Sequence, residues 1–384
     1  MAKLELIATA AFGLEAVVAK ELKELGYADQ MVENGRVTFA GDEEAICRTN
    51  LWLRSADRVL VKVGEFAATT FDELFEQTKA LPWPDWLPAD AEFPVDGKSV
   101  KSKLFSVSDC QAIVKKAIVE KMKEKYGKDW FEETGGRYKI EVGLLKDRAT
   151  LTIDTSGAGL HKRGYRELTA KAPLRETLAA AMVRLSNWPA DRVLADPFCG
   201  SGTIPVEAAL LALNIAPGLK RRFAAEKWPV ISERLWRNAR EEAKSAIVQD
   251  RQLRIIGTDI DEKVLSLARH HARKAGVDKH IHFQQMPFTK LRSRYEYGFI
   301  ICNPPYGERL GDVRQAEAIY KDMRSVFDGL PTWSFFVLSS HLGFEKILGR
   351  PADKKRKLYN GRLQCNYYMY RGPQPQPQSK KESQ

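Results

Sequence analysis

From Arg192 to Ser340, runs of strand length and runs of helical period take turns along the chain: RVLADPF, TIPVEAALLALNI, RIIGTDI, DEKVLSLARHHARKAG, IHFQQ, YGFIICN, AEAIYKDMRSVFDGL and SFFVLSS. Strands separated by helices pair in parallel, and a parallel sheet needs cover on both faces, so this order admits few folds. We expect an α/β domain with a doubly wound, mostly parallel sheet over residues 171–371. RKLYNGRLQCNYYMY breaks the alternation. Its Asn360-Gly361 pair between two strand-like runs signals a tight hairpin, so the sheet should end in an antiparallel pair.

Open α/β sheets bind ligands outside the carboxyl ends of their strands. Three strand ends here carry unusual residues. In IICNPPYGERL (300–310), Pro304 and Pro305 cannot donate to a sheet ladder, so the strand should stop near Cys302. The stiff loop beyond fixes Asn303 and Tyr306. The Asn303 side-chain oxygen and the Pro304 carbonyl can accept both N–H bonds of a planar exocyclic amine and aim its lone pair. Pro305 keeps that carbonyl and the ring in place, and Tyr306 offers a face on which a base can stack.

ADPFCGSGT (195–203) ends a second strand. Gly200 and Gly202 let the backbone pass close to a ligand, and Thr203 is expected to cap the following helix. The spacing is neither G-x-G-x-x-G nor a phosphate loop. Asp196, in front of the glycines, repels a pyrophosphate and suits an ammonium. In IIGTDID (255–261), Asp259 ends a third strand, where its carboxylate can accept both hydroxyls of a ribose. Asp261 is better placed to cap the next helix.

The first 156 residues differ in texture. LELIATAAFG, LEAVVAKELKELG, RVTFAG, EEAICRTNLWLR and DRVLVKVGEF suggest a β-α-β-β-α-β, ferredoxin-like order over residues 1–65. A Trp/Pro-rich passage (81–97) leads into a helix with capping-box spacing at Ser108 and Gln111. Its apolar stripe is Cys110, Ile113, Val114, Ala117, Ile118 and Met122. The strands RYKIEVGLL and RATLTIDTS close a second part, residues 66–156. Residues 157–170 read as a linker, and the Pro/Gln-rich tail, 372–384, is expected to be disordered.

The chain holds 61 Lys and Arg against 50 Asp and Glu, a formal net charge of +11, which suggests a polyanionic partner. Residues 1–155 hold 22 basic and 27 acidic side chains, whereas residues 156–384 hold 39 and 23, so the excess belongs to residues 156–384. Lys98, Lys101, Lys103, Lys115 and Lys116 still make a local basic patch in the acidic half. The linker adds Lys162, Arg163 and Arg166. Five scattered cysteines form no C-x-x-C pair and no Cys/His cluster, so neither a metal nor a disulfide framework is indicated. The histidines read as solvated helix and loop residues. No apolar run approaches the ~18 residues that cross a bilayer, and the amino terminus is unlike a signal peptide. The expected location is the cytoplasm.

In this order, D-P-F-x-G-S-G-T, G-x-D-x-D and N-P-P-Y-G-E-R resemble the THUMP-containing RNA methyltransferases. The nearest resemblance is to bacterial enzymes that form N2-methylguanosine in large-subunit (23S) ribosomal RNA. The likeness covers nearly the whole chain, including FPVDGKSVKSKLFSVSDCQAIVKKAI, LHKRGYR (160–166) and APLRE (172–176). A hairpin closing a parallel sheet is itself a feature of class I methyltransferases. The resemblance implies a ferredoxin-like/THUMP module that captures RNA and a Rossmann-like domain that binds S-adenosylmethionine. By the same resemblance Asp196, Phe198, Cys199, Gly200, Ser201, Gly202, Thr203, Asp259 and Ile260 hold the cofactor. Asn303, Pro304, Pro305 and Tyr306 hold the target base.

Enzymes that methylate adenine N6 or a glutamine side chain share Asn-Pro-Pro-Tyr, and the choice of guanine rests chiefly on Gly307-Glu308-Arg309. A transfer-RNA substrate stays open, as does a non-catalytic RNA-binding assembly factor that keeps the fold. Many such enzymes carry an adenine-binding aspartate after the strand that matches IHF. Here Met286 and Pro287 stand there, which leaves backbone groups and Phe288 for the adenine.

Overall fold

The computed structural model describes residues 3–166, 174–306 and 310–375. The start of APLRE, the Gly307-Glu308-Arg309 triplet and most of the tail lie outside the described residues. The chain divides into two compact units. One takes in residues 3–11, 18–162 and 216–245, the other residues 12–17, 163–215 and 246–375.

In the first unit, β1 (Leu4–Ala10), α1 (Glu15–Glu24), β2 (Gln30–Glu33), β3 (Arg36–Gly41), α2 (Glu43–Trp52) and β4 (Ala56–Ala67) give the β-α-β-β-α-β order. They are followed by α3 (Phe71–Lys79), β5 (Val95–Val100), α4 (Val107–Tyr126), β6 (Lys139–Leu145) and β7 (Arg148–Asp154). The strands form one sheet, β2-β3-β1-β4-β7-β6-β5, in which β5 alone runs parallel to its neighbour. The ferredoxin-like and THUMP stretches are therefore joined through the β4–β7 ladder. Helix α4 buries Cys110, Val114, Ala117, Ile118 and Met122 of the expected stripe and leaves Ile113 half-buried, and its cap is Ser106 and not Ser108.

The chain continues with α5 (Glu176–Ser186), β8 (Leu194–Asp196), α6 (Thr203–Ala212), α7 (Glu233–Ser245), β9 (Ile255–Asp259) and α8 (Glu262–Ala275). Then come β10 (Ile281–Gln285), β11 (Phe299–Cys302), α9 (Leu310–Asp328), β12 (Ser334–Ser339), α10 (Phe344–Leu348), β13 (Lys354–Asn360) and β14 (Leu363–Tyr370). The second sheet is ordered β10-β9-β8-β11-β12-β14-β13. It is parallel from β10 to β12, and β14 is antiparallel to both its neighbours. Asn360 pairs with Leu363, so the hairpin turns on Gly361-Arg362, one residue later than the Asn-Gly signal, with Gly361 at φ +63°. One face is sealed by α9, whose Ala316, Tyr320, Met323 and Phe327 pack with Ile300, Cys302, Phe335 and Val337.

Two consequences follow for the site. The strand order reverses between β8 and β11, and ligands of doubly wound sheets bind at that switch point. The same two strands pair directly, Leu194 with Phe299 and Ala195 with Ile300, so the loops after Asp196 and after Cys302 leave neighbouring strands.

Residues 216–245 depart from the single 171–371 span expected from the sequence. Their aromatic side chains find partners in the first unit, where Trp228 stacks on Tyr138 at 4.5 Å and donates Nε1–H to the Arg137 carbonyl at 3.0 Å. Gly218 N–H donates to the Leu51 carbonyl at 2.9 Å, and Arg48 holds Glu242 at 2.9 Å. Among the described residues no helix is long and apolar enough to cross a membrane.

Candidate active site

Strand β11 is wholly buried and stops at Cys302, where the two prolines end its ladder. Beyond it Pro304 is buried, Asn303 and Tyr306 are half-buried and Pro305 is exposed. The Tyr306 hydroxyl donates to Asn303 Oδ1. Burial pushes the phenol's pKa well above its ordinary value, so the hydroxyl stays a donor. The amide oxygen expected to face a substrate amine is thus already engaged by its own loop.

The backbone of that loop is pinned from below. The Pro305 carbonyl accepts a hydrogen bond from the Tyr320 hydroxyl at 2.8 Å, and Ser339 Oγ lies 3.2 Å from the same hydroxyl. Tyr320, on α9, is fully buried, which pushes its pKa to about 12. Ser339 ends β12 and accepts from the His341 N–H at 3.1 Å. Sequence reasoning missed Tyr320 and Ser339, because a tyrosine in an apolar helical stripe reads as core.

On the neighbouring strand, Asp196 is 1% exposed and accepts from the Phe198 N–H at 3.1 Å. Burial, with Asp259 adding to it, holds the Asp196 carboxyl well above the usual carboxylate range. Phe198 packs on Phe288 at 4.9 Å. Cys199 N–H donates to the Thr258 carbonyl at 3.0 Å, stitching the loop to β9. Gly200 N–H donates to Asp259 Oδ2 at 3.0 Å, while Asp259 Oδ1 accepts from the Asp261 N–H at 3.1 Å. Each carboxylate oxygen keeps a lone pair for a further donor. Ile260, next in sequence, is 71% exposed.

Two details depart from expectation. Gly202, at φ +82°, is the cap residue of α6, and Thr203 is instead its first helical residue. A Cβ at Gly202 would meet Ala268 and Phe283 at 3.0 and 3.1 Å, which is why that left-handed position takes glycine. His271, read from the sequence as solvated, is fully buried on α8, with Nδ1 3.0 Å from the Ser201 carbonyl. It braces the middle of the glycine loop.

The basic residues divide. Lys101, Lys103, Lys116 and Lys162 are exposed, and Lys98, also exposed, reaches Glu141 at 2.6 Å. Lys115 lies over the Phe93 ring, bonds the Phe93 carbonyl and pairs with Glu133. Arg163 and Arg166 do not form a basic surface. Arg163 sits 3.5 Å from Glu207 with both side chains buried, and the Tyr165 hydroxyl donates to the same Glu207 at 3.0 Å. Arg166 is paired with Glu176 at 3.0 Å, again buried. Charge in sequence gave no sign of these acidic partners, which lie 44 and 10 residues away.

Taken together, the switch point offers a buried carboxylate suited to a cation, a carboxylate at a strand tip suited to hydroxyls, and a braced amide loop suited to a planar amine. Residues 163–369 match the family described as the RMKL-like methyltransferase domain. The chain belongs to the RMKL-like methyltransferases. Residues 5–60 match the RlmL ferredoxin-like domain and residues 68–154 the THUMP domain. Among relatives, "Putative RNA methyltransferase YpsC" of Bacillus subtilis (strain 168) is 53% identical over 99% of both chains. The ribosomal RNA large subunit methyltransferase K/L of Psychromonas ingrahamii is 33% identical over 94% of this chain, which spans 49% of that protein's length. The solved structure of SMU.472 complexed with SAH (S-adenosylhomocysteine) has a TM-score of 0.93 at 46% identity, covering 98% of this chain and all of that one. This RMKL-like methyltransferase therefore has the class I methyltransferase fold, preceded by ferredoxin-like and THUMP modules.

Proposed function

We propose that this RMKL-like methyltransferase uses S-adenosylmethionine to methylate the exocyclic N2 of a guanine in large-subunit ribosomal RNA. The observation that carries the reading is the Asn303–Tyr306 loop at the switch point, its Pro305 carbonyl held by buried Tyr320. The residues on the neighbouring strands fit the cofactor. Asp196 is buried, and that burial shifts its carboxyl up, so a bound ammonium beside it would favour the ionised form. Gly200 has no side chain, and Val264 Cγ1, at 3.9 Å, is the nearest atom a Cβ there would meet, so its backbone is open to a ligand. Asp259 would take the ribose, with Phe198, Cys199, Ser201, Gly202, Thr203 and Ile260 shaping the surround.

When bound, S-adenosylmethionine supplies an electrophilic methyl group on a positively charged sulfur. Asn303 Oδ1 and the Pro304 carbonyl would accept the two amine N–H bonds, which localises the nitrogen lone pair and directs it at that methyl group. For this the amine takes the place of the Tyr306 hydroxyl on Asn303. The freed Tyr306 ring then stacks on the base. Positioning supplies most of the rate, and the proton leaves the nitrogen after attack.

RNA as the substrate is supported by the THUMP match, by the name of YpsC and by the K/L relatives, named as ribosomal RNA large subunit methyltransferases. The +11 charge agrees with a polyanion. The test is nucleoside mass spectrometry on RNA from a deletion strain, before and after incubation with the purified protein and S-adenosylmethionine. N2-methylguanosine should be missing at one 23S position and restored by the protein. Restoration of N6-methyladenosine, or of a mark in transfer RNA, would overturn the assignment.

A further inference from the structure

We infer that the β13–β14 hairpin is a contact surface for unpaired RNA flanking the target nucleotide. The inference rests on the RNA reading above and adds a site to it. Cys302 pairs with Val337, and Ser339, two residues on, pairs with Asn366, which pairs with Lys357. Lys357 therefore lies at the level of the Asn303–Pro304 loop. From there the hairpin runs on through Asn360 and back to Leu363, so at ~3.3 Å per residue its tip overhangs the sheet's carboxyl edge by about 10 Å. Strand β13 lies three strands from β11, about 14 Å across at ~4.8 Å per step. That is on the order of four stacked nucleotides at ~3.4 Å each.

The overhang carries what such a strand requires. Strand β13 holds four consecutive cations, Lys354 to Lys357, and Arg362 sits in the turn. Lys354, Lys357 and Arg362 are exposed, whereas Lys355 is held by Glu345 at 2.6 Å. Tyr359 shares the face of Lys357 by the two-residue strand period and meets the edge of Phe12, itself 57% exposed, at 6.1 Å. Tyr359 is itself half-buried, so the pair offers the open Phe12 ring and one edge of Tyr359. Accessible rings interleaved with cations make a stacking and phosphate surface for single strands. Charge on an edge strand also blocks sheet-to-sheet pairing, but that need is met on the strand itself and gives no reason for the exposed Phe12 ring beside Tyr359 or for a cation in the turn. The hairpin also comes beside the catalytic loop, since Leu358 pairs with Cys365, one of the groups that act on the Tyr306 phenol.

The test compares the full-length wild type with Lys357→Glu/Arg362→Glu and the milder Lys357→Gln/Arg362→Gln. Binding of a protein-free 23S RNA transcript is measured from low to moderate salt, with S-adenosylmethionine affinity and thermal midpoint as controls. Each lost single-strand phosphate contact should flatten the log–log salt slope by ~0.7, so both double variants should lose about 1.4. The charge-reversed protein should bind RNA at least tenfold more weakly, with cofactor affinity unchanged. Tyr359→Ala should weaken RNA binding without altering the slope. A wild-type slope and affinity in both double variants would overturn the surface. A wild-type protein without salt-dependent RNA binding would overturn the RNA reading, and the surface with it.

Discussion

Tyr320 holds Pro305. Its buried hydroxyl, 2.8 Å from the carbonyl oxygen, fixes the backbone one residue beyond Pro304, whose own carbonyl would receive the substrate amine. Tyr320→Phe removes one hydrogen bond, worth ~1 kcal/mol, and should slow single-turnover methylation about five- to tenfold. Ser339 Oγ also loses its 3.2 Å neighbour, so the melting temperature should fall only by what one or two such bonds are worth, ~1–2 kcal/mol. Unchanged kcat in that variant would show that the loop holds its shape without the bond.

Under the proposed function, Asn303→Ala removes the oxygen that would accept from the amine once Tyr306 gives way. The chemical rate should fall by roughly 10²–10³, the scale of a lost preorganised polar contact. Tyr306→Phe should keep the rate, because it frees Asn303 Oδ1 and retains the stacking face. Tyr306→Ala should weaken capture of the base by ~1–3 kcal/mol. Rapid-quench assays with labelled cofactor separate the three, and cofactor affinity should be unaltered in each.

Cofactor affinity should depend on pH through Asp196. In the free protein its carboxyl is shifted up by burial, and a bound ammonium favours the ionised form and lowers it. Between those two values binding releases a proton, so affinity should rise with pH and level off above the raised value. Calorimetry of S-adenosylhomocysteine in two buffers of different ionisation heat measures the proton. Methylthioadenosine, which lacks the ammonium, should bind without that slope. An equal slope for both ligands would place the titration elsewhere.

Arg163 should behave as a structural ion-pair partner and not as an RNA contact. Its loss strands the carboxylate of Glu207, fully buried, at a cost of about 3–5 kcal/mol. Urea titration of Arg163→Met should show that loss, and adding Glu207→Leu should recover most of it. The RNA salt slope of the folded protein should stay at the wild-type value.

What could be read from the sequence was whatever the chain writes locally. Prolines stop β11 at Cys302, and Asp261 caps α8 by accepting from the Lys263 N–H at 2.8 Å. The strand–helix alternation and the closing hairpin follow from periodicity in the same way. Features set by partners far along the chain were not legible. Arg163 looks like a linker cation until Glu207 is folded beside it. His271 looks solvated until α8 packs under Ser201. The Thr203 cap failed for a local reason, since Gly202 adopts the left-handed conformation that takes that place.

The passage of residues 216–245 into the first unit bears on how such a protein can be divided. A fragment beginning after residue 166 retains Phe223, Trp228 and Trp236, each under 5% exposed here, but loses Tyr138 and Leu51, against which that segment is built. A single protease cut between the THUMP and methyltransferase stretches would leave one half with Trp228 stripped of the Tyr138 ring it stacks on and of the Arg137 carbonyl it bonds. Recombination faces the same obstacle. A different N-terminal module could be exchanged onto this methyltransferase domain only if residues 216–245 travelled with it, since they pack within the first unit.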